Sequence, residues 1–298
     1  MLVAHSHPAH YALANEKGHS MTDLPNSEQA EFWSDGGGLD WITFGTQLDE
    51  LFAGVNATLL KTAAPSKSDT ILDIGCGTGA TTRDFAAQSA SAHGIDISTT
   101  MLAHAQKSAP ENTTFTRADA QTEPLPTAHY DHLVSRFGVM FFENPIAAFT
   151  NLRTGLKPNG SLTMACWAPF KQNPWFTIPR FIATDLLGFP PSHDPYAPGP
   201  FAFADTDHTL KILTDSGFQN PTVQTHDIPL SLTGDAKHAS NLSAYIGPAD
   251  SVIRAQGGTA ADKAKIVAAT QEKLREYETN GTVIVPAKIH IYSAQNAP

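Results

Sequence analysis

Between residues 70 and 167, short apolar runs alternate with stretches whose apolar positions recur at helical spacing. The runs beginning at Ile71, His93, Thr113, Tyr130 and Ser161 predict five strands, the last ending at Trp167. Helices fall between them, the first over Thr81 to about Gln88. Such alternation predicts a parallel, doubly wound sheet. Upstream, Ser27–Trp33 reads as a short capped helix ended by Gly36, Gly37 and Gly38. Phe44, Leu48, Leu51, Phe52, Val55 and Leu59 then predict one long amphipathic helix beside the sheet. Trp33 is expected to anchor these helices in the core.

Past Trp167 the pattern changes. Trp175–Leu187 predicts a helix, followed by a Pro- and Gly-rich stretch over 188–201. Loops of this length inside a compact domain are usually lids, binding loops or disorder. Asp207–Gly217 reads as a helix with a glycine stop, and Thr222–Ile228 as a sixth strand. Leu242, Tyr245, Ile246, Ala249, Val252 and Ile253 share one apolar face; Ile266, Val267, Thr270, Leu274 and Tyr277 share another. Val283–Tyr292 is expected to close the chain as a single strand. No internal repeat is visible.

With 298 residues and 41% hydrophobic content, the chain can bury one full core plus a cover. Lys+Arg 19 against Asp+Glu 29 leaves a net charge of −10, which argues against a nucleic-acid partner. No apolar stretch is long enough for a spanning helix. Residues 1–26 read as a disordered extension without a secretory h-region, and Met21 looks like an alternative start. Cys76 and Cys166 give no disulfide framework, so a reducing cytoplasm is expected.

The chemistry concentrates at Ile71-Leu72-Asp73-Ile74-Gly75-Cys76-Gly77-Thr78-Gly79, a strand breaking into glycines at alternate positions. Missing Cβ atoms let the main chain lie against a ligand, and the following helix offers free N–H groups. Gly75, Gly77 and Ala80 also satisfy the loose dinucleotide pattern. A pyrophosphate, however, would be repelled by Asp73, whereas the ammonium and sulfonium of S-adenosylmethionine (SAM) would be attracted. Asp96 lies 21 residues beyond Gly75, the spacing at which an acid reaches ribose hydroxyls, and Ser98 can cap the next helix. Asp119, with small Ala120 beside it, can accept from an adenine amino group. Trp41 can close an aromatic face over a sulfonium.

Five strings, Leu72–Gly79, Gly94–Ser98, Ala118–Ala120, Ser135–Phe142 and Leu156–Gly160, resemble the class I SAM-dependent methyltransferases. The likeness is to the small-molecule branch that includes bacterial ubiquinone/menaquinone-type enzymes. It is specific over about 65–170 and thinner elsewhere. Asn159 stands where that family usually has glycine, and asparagine tolerates the left-handed backbone such a turn needs. The resemblance implies an α/β fold, a doubly wound seven-stranded sheet of order 3-2-1-4-5-7-6 with the last strand antiparallel. N-terminal helices (27–66) would precede the SAM-binding domain (67–298), with cap segments at about 174–206 and 236–281. It further implies that Asp73, Gly75, Cys76, Gly77 and Gly79 line the methionine moiety and that Asp96 binds ribose, with Ile97 and Met101 beside it. Asp119 and Ala120 would take adenine, and Ser135 and Arg136 would border the methionine end.

The expected activity is methyl transfer to a small, aromatic or quinone-like acceptor, with S-adenosylhomocysteine (SAH) as product. A tRNA or protein methyltransferase and a non-catalytic SAM or SAH binder are the alternatives. His193, in the Pro-rich stretch near Asp194 and Tyr196, is the candidate base. His132 reads as a buried, hydrogen-bonded strand residue. Asn144-Pro145 and Asn173-Pro174 lack the second proline of amino-group methyltransferases and read as helix starts. No Cys or His pair has metal-site spacing, so no metal is expected; no membrane span is expected either, and a homodimer is left open.

Overall fold

The computed structural model describes residues 25–191 and 194–298. Its centre is a seven-stranded sheet of β1 (Thr70–Ile74), β2 (Ser91–Asp96), β3 (Thr113–Arg117), β4 (Tyr130–Arg136), β5 (Leu156–Trp167), β6 (Gln219–Asp227) and β10 (Lys288–Gln295). The order is β3-β2-β1-β4-β5-β10-β6, and β10 runs antiparallel to both its neighbours. Because β10 is the seventh strand of this sheet along the chain, the order is the expected one. Side chains of the inner strands, such as Leu72, Leu133, Val134, Leu162 and Met164, are wholly buried. Each contributes about 1.5–3 kcal/mol by leaving water.

Four helices precede the sheet: α1 (Ser27–Ser34), α2 (Gly36–Thr43), α3 (Gly45–Leu51) and α4 (Ala53–Ala63). Two expectations are corrected here. The triple glycine does not simply end α1 but forms the first turn of α2. A Cβ on Gly38 would sit 1.8 Å from the Trp33 carbonyl oxygen, so glycine lets the two helices fold back on each other. The long amphipathic helix is also broken, at Phe52. Its backbone leaves helical values (φ −99°, ψ 9°) while its ring turns against Phe137 and Trp167.

Between the strands lie α5 (Ala80–Ala86), α6 (Thr99–Ala105), α7 (Pro145–Gly155) and, after β5, α8 (Pro174–Leu187) and α9 (Thr206–Asp215). Beyond β6 come β7 (Leu230–Thr233), α10 (Ala236–Tyr245), α11 (Pro248–Ala255), α12 (Ala260–Leu274), β8 (Glu278–Thr279) and β9 (Thr282–Val285). The apolar face over 242–253 is therefore two helices rather than one stretch. Gly247 takes a positive φ of 121°, and Pro248, which has no N–H to donate, starts the next. The closing strand is likewise split. Pro286 cannot join a ladder, so β9 leaves the main sheet and pairs with β7 and β8 in a second, three-stranded one. Helices α8, α11 and α12 share a small core of their own, made of Ala183, Ala249, Val252, Ile253 and Ile266.

Candidate functional site

The carboxyl ends of β1, β2 and β4 open into a cavity of about 920 Å³. Its floor is the glycine turn after β1. Gly75 has φ +64°, and a Cβ there would lie 2.7 Å from the Gly138 Cα; the turns after β1 and β4 touch main chain to main chain. Three side chains brace this contact. Ser135 Oγ donates to the Ile74 carbonyl (2.8 Å) and accepts from the Gly138 N–H (3.2 Å). Asp73 accepts from Thr82 Oγ1 on α5 (2.6 Å), while its other oxygen is buried with no partner among the described residues. Burial pushes the Asp73 carboxyl up to about 7, against the hydrogen bond from Thr82 and the charge of Arg136.

Asp96, at the end of β2, accepts from the Gly77 N–H with one oxygen and from the Ser98 N–H with the other, both at 2.8 Å. Each oxygen keeps lone pairs for further donors. Burial raises its pKa, and those backbone N–H groups oppose the rise. Ser98 caps α6 by accepting from the Met101 N–H. On the neighbouring wall, Asn26 Nδ2 donates to both oxygens of Asp119 (2.9 and 3.1 Å). The backbone of Asn26 and that of Glu143 also exchange hydrogen bonds with each other's side chains (2.8 Å each). The chain just before α1 is thus fastened across the sheet.

Of the residues singled out in the sequence, Trp41, Gly75, Cys76, Gly77, Asp96, Ile97, Met101, Asp119, Ala120 and Arg136 come together on the cavity wall. Asp73, Gly79 and Ser135 do not reach that wall; they support the turn behind it. His193 lies outside the described residues. Trp33, expected in the core, faces the cavity instead, with its ring edge-on to Trp41 and Phe141. The glycines of α2 bring α1 close enough to put it there. His132 bridges Ser161 (2.7 Å) and Asp69 (3.0 Å), a clasp among β4, β5 and the start of β1 away from the cavity.

The sequence placed Phe137 near the mouth of the site, but not its backbone conformation, and it did not reveal the Asn26 fastening. Phe137 has φ +68°, a strained value for an aromatic residue, and its ring stacks on Trp167 at 4.2 Å. Phe52, Phe176 and Phe201 extend this aromatic wall away from the glycine turn. The signal available was an aromatic directly after a strand-ending Arg136 and before a glycine.

A family profile described as a methyltransferase domain matches residues 71–160. That stretch contains the glycine turn, Asp96, Asp119 and the β4 end. The chain carries a class I SAM-dependent methyltransferase domain. Aklanonic acid methyltransferase DauC from a Streptomyces species is 28% identical over 156 residues, which are 50% of this chain and 66% of that protein. Malonyl-[acyl-carrier protein] O-methyltransferase from Halalkalibacterium halodurans is 35% identical over 106 residues, 33% of this chain and 39% of that protein. The chain therefore spans less than two thirds of either relative. Phosphoethanolamine N-methyltransferase 2 of Haemonchus contortus, solved with S-adenosyl-L-methionine, has the same fold, with a TM-score of 0.56 at 17% identity. That alignment covers 90% of this chain and 60% of the solved one. Among the described residues, no helix is long and apolar enough to cross a membrane.

Proposed function

We propose that the chain transfers a methyl group from SAM to a small, largely apolar, aromatic or quinone-like acceptor in the cytoplasm. One observation carries this reading: a single cavity of about 920 Å³ runs from the glycine turn and Asp96 to an aromatic wall of Phe137, Trp167 and Phe201. That volume is at the upper end for small-molecule sites, which suits two ligands side by side. The residues fit the cofactor on their own chemistry. The glycine turn leaves no Cβ in the way, Asp96 has lone pairs for ribose hydroxyls, and Asp119 with Ala120 offers an acceptor and room for a flat base.

When bound, SAM supplies the electrophilic methyl carbon. This chain's residues hold, orient and dry the reactants. Trp41 offers its face to a cation, and the aromatic wall fixes the plane of the acceptor. The described parts of the cap segments, 174–191, 194–206 and 236–281, supply the cover of the acceptor end. His193, two residues before the cavity-lining Pro195, is the proposed base, and an acceptor atom that ionises readily, such as a carboxylate or acidic phenol, would make only a light demand on it. The names of the two relatives, an acid and a malonyl group, point the same way.

Incubation with SAM and a panel of aromatic acids, phenols and quinones tests the reading. SAH is expected to accumulate only with certain acceptors, each gaining the mass of one methylene. Saturable SAH binding without product from any of them would mark a binder instead of an enzyme.

A further inference from the structure

Three arginines line the cavity, and they differ in their partners. Arg136 faces Asp49 at 3.7 Å, and Arg254 is paired with Asp250 and, at 3.9 Å, with Asp40. Arg180 forms no ion pair among the described residues. It rises from α8 at the seam with the start of α11. Its only polar contact among them is a long hydrogen bond, 3.4 Å, from Nη1 to the Pro248 carbonyl oxygen. Its guanidinium lies 6.0 Å from the centre of the Phe170 ring, within the aromatic part of the wall. A guanidinium has five N–H donors, and here nearly all of them are left to solvent in the cavity.

That arrangement has a consequence for whatever fills the space. An acceptor pressed against Phe170, Phe176 and Phe201 displaces the water around Arg180. A neutral, apolar acceptor would leave the donors of a charged group unmet, which is costly in a low-dielectric site. A carboxylate meets the planar fork with two parallel hydrogen bonds and matches its charge. Burial lowers the pKa of Arg180, and among the described residues no carboxylate within ion-pair distance opposes that shift.

We infer that Arg180 is the specificity-determining residue of the acceptor site, and that the acceptors are aromatic molecules bearing a carboxylate that it binds. The inference rests on the methyltransferase reading of the cavity and deepens it. The aromatic wall recognises the ring system and Arg180 the acid.

Calorimetry on SAH-saturated protein tests it with two probes of one shape, 2-naphthoate and 2-naphthamide. Naphthoate is expected to bind at least about tenfold more tightly than the neutral amide, the difference a charge-assisted bidentate pair makes. Arg180→Gln should remove that preference while SAH affinity stays the same, which also reports that the variant is folded. Arg180→Lys should keep part of it, since charge survives but the fork does not. Equal binding of the two probes, binding of neither, or a preference that persists in R180Q would overturn the inference and leave the methyltransferase reading standing. Failure of the native protein to bind SAH at all would overturn that reading and this inference with it.

Discussion

Asp73 shows how one side chain can report on ligand charge without touching the cavity. Its carboxyl is wholly inside, with one oxygen on Thr82 and the other unmatched among the described residues, and burial holds its pKa at about 7 instead of the 3.8 of a free aspartate. The folded state therefore binds more protons than the unfolded one between those two values. Stability from this group is full below the lower value and falls as pH rises through the upper one. A cationic cofactor on the other side of the glycine turn reverses the preference, because it favours the carboxylate. SAM affinity should then rise between pH 6 and 8, by at most about tenfold per unit on the acid side, with proton release on binding. Calorimetry in two buffers of different ionisation enthalpy measures that release, and Asp73→Asn should abolish it. A pH-independent affinity in the native protein would show that the carboxyl does not sense the cofactor. The sequence made the acid conspicuous but not its direction. Whether a residue at a strand end faces the ligand or the helix behind it depends on how far α5 tilts, and no local pattern encodes that.

At the scale of elements, the parts that were legible were those that local chemistry controls by itself. The β1 glycine turn, the Ser98 cap, the left-handed Asn159 (φ 61°) and the Gly217 helix stop follow from residue type and spacing alone. The departures came where tertiary contacts chose between equal local options. Gly36–Gly38 can end a helix or begin one packed on its neighbour, and Phe52 can continue a helix or turn its ring into the site. The placement of α1 depends on another such contact, the grip of Asn26 on Asp119 and Glu143. Asn26→Ala removes the side-chain half of this fastening, with a loss of about 1–3 kcal/mol for the charge-assisted hydrogen bonds to the half-buried Asp119 carboxylate. Hydrogen exchange should then quicken by about tenfold or more over residues 27–43, with the inner strands unchanged. Unaltered exchange in α1 and α2 would mean that other contacts hold them in place.

For the whole molecule, the question is why a sheet of this order should take SAM in place of a dinucleotide, since both kinds of protein place a glycine turn at the same edge. The answer proposed here lies in where the turn's N–H groups go. Cys76 donates to the Ile95 carbonyl, Gly77 to Asp96, and Gly79 to the Cys76 carbonyl, all at 2.8–3.0 Å. These donors are spent inside the protein, so a diphosphate would find few of them, and it would also meet Asp96 and Asp119 on the wall in a chain of net charge −10. Asp96 therefore does two things at once: it uses up the N–H that an anion would need and presents its remaining lone pairs to hydroxyls. Ligand binding to the folded state alone stabilises the whole chain. SAH at one hundred times its dissociation constant should add about 2.7 kcal/mol, which for 298 residues is a rise of about 4 °C in the melting midpoint. NADH at the same concentration should leave the midpoint where it was. A scan in which NADH raises it and SAH does not would show that the acids at this edge do not select the cofactor, and the assignment of the cavity would have to be made again from the dinucleotide side.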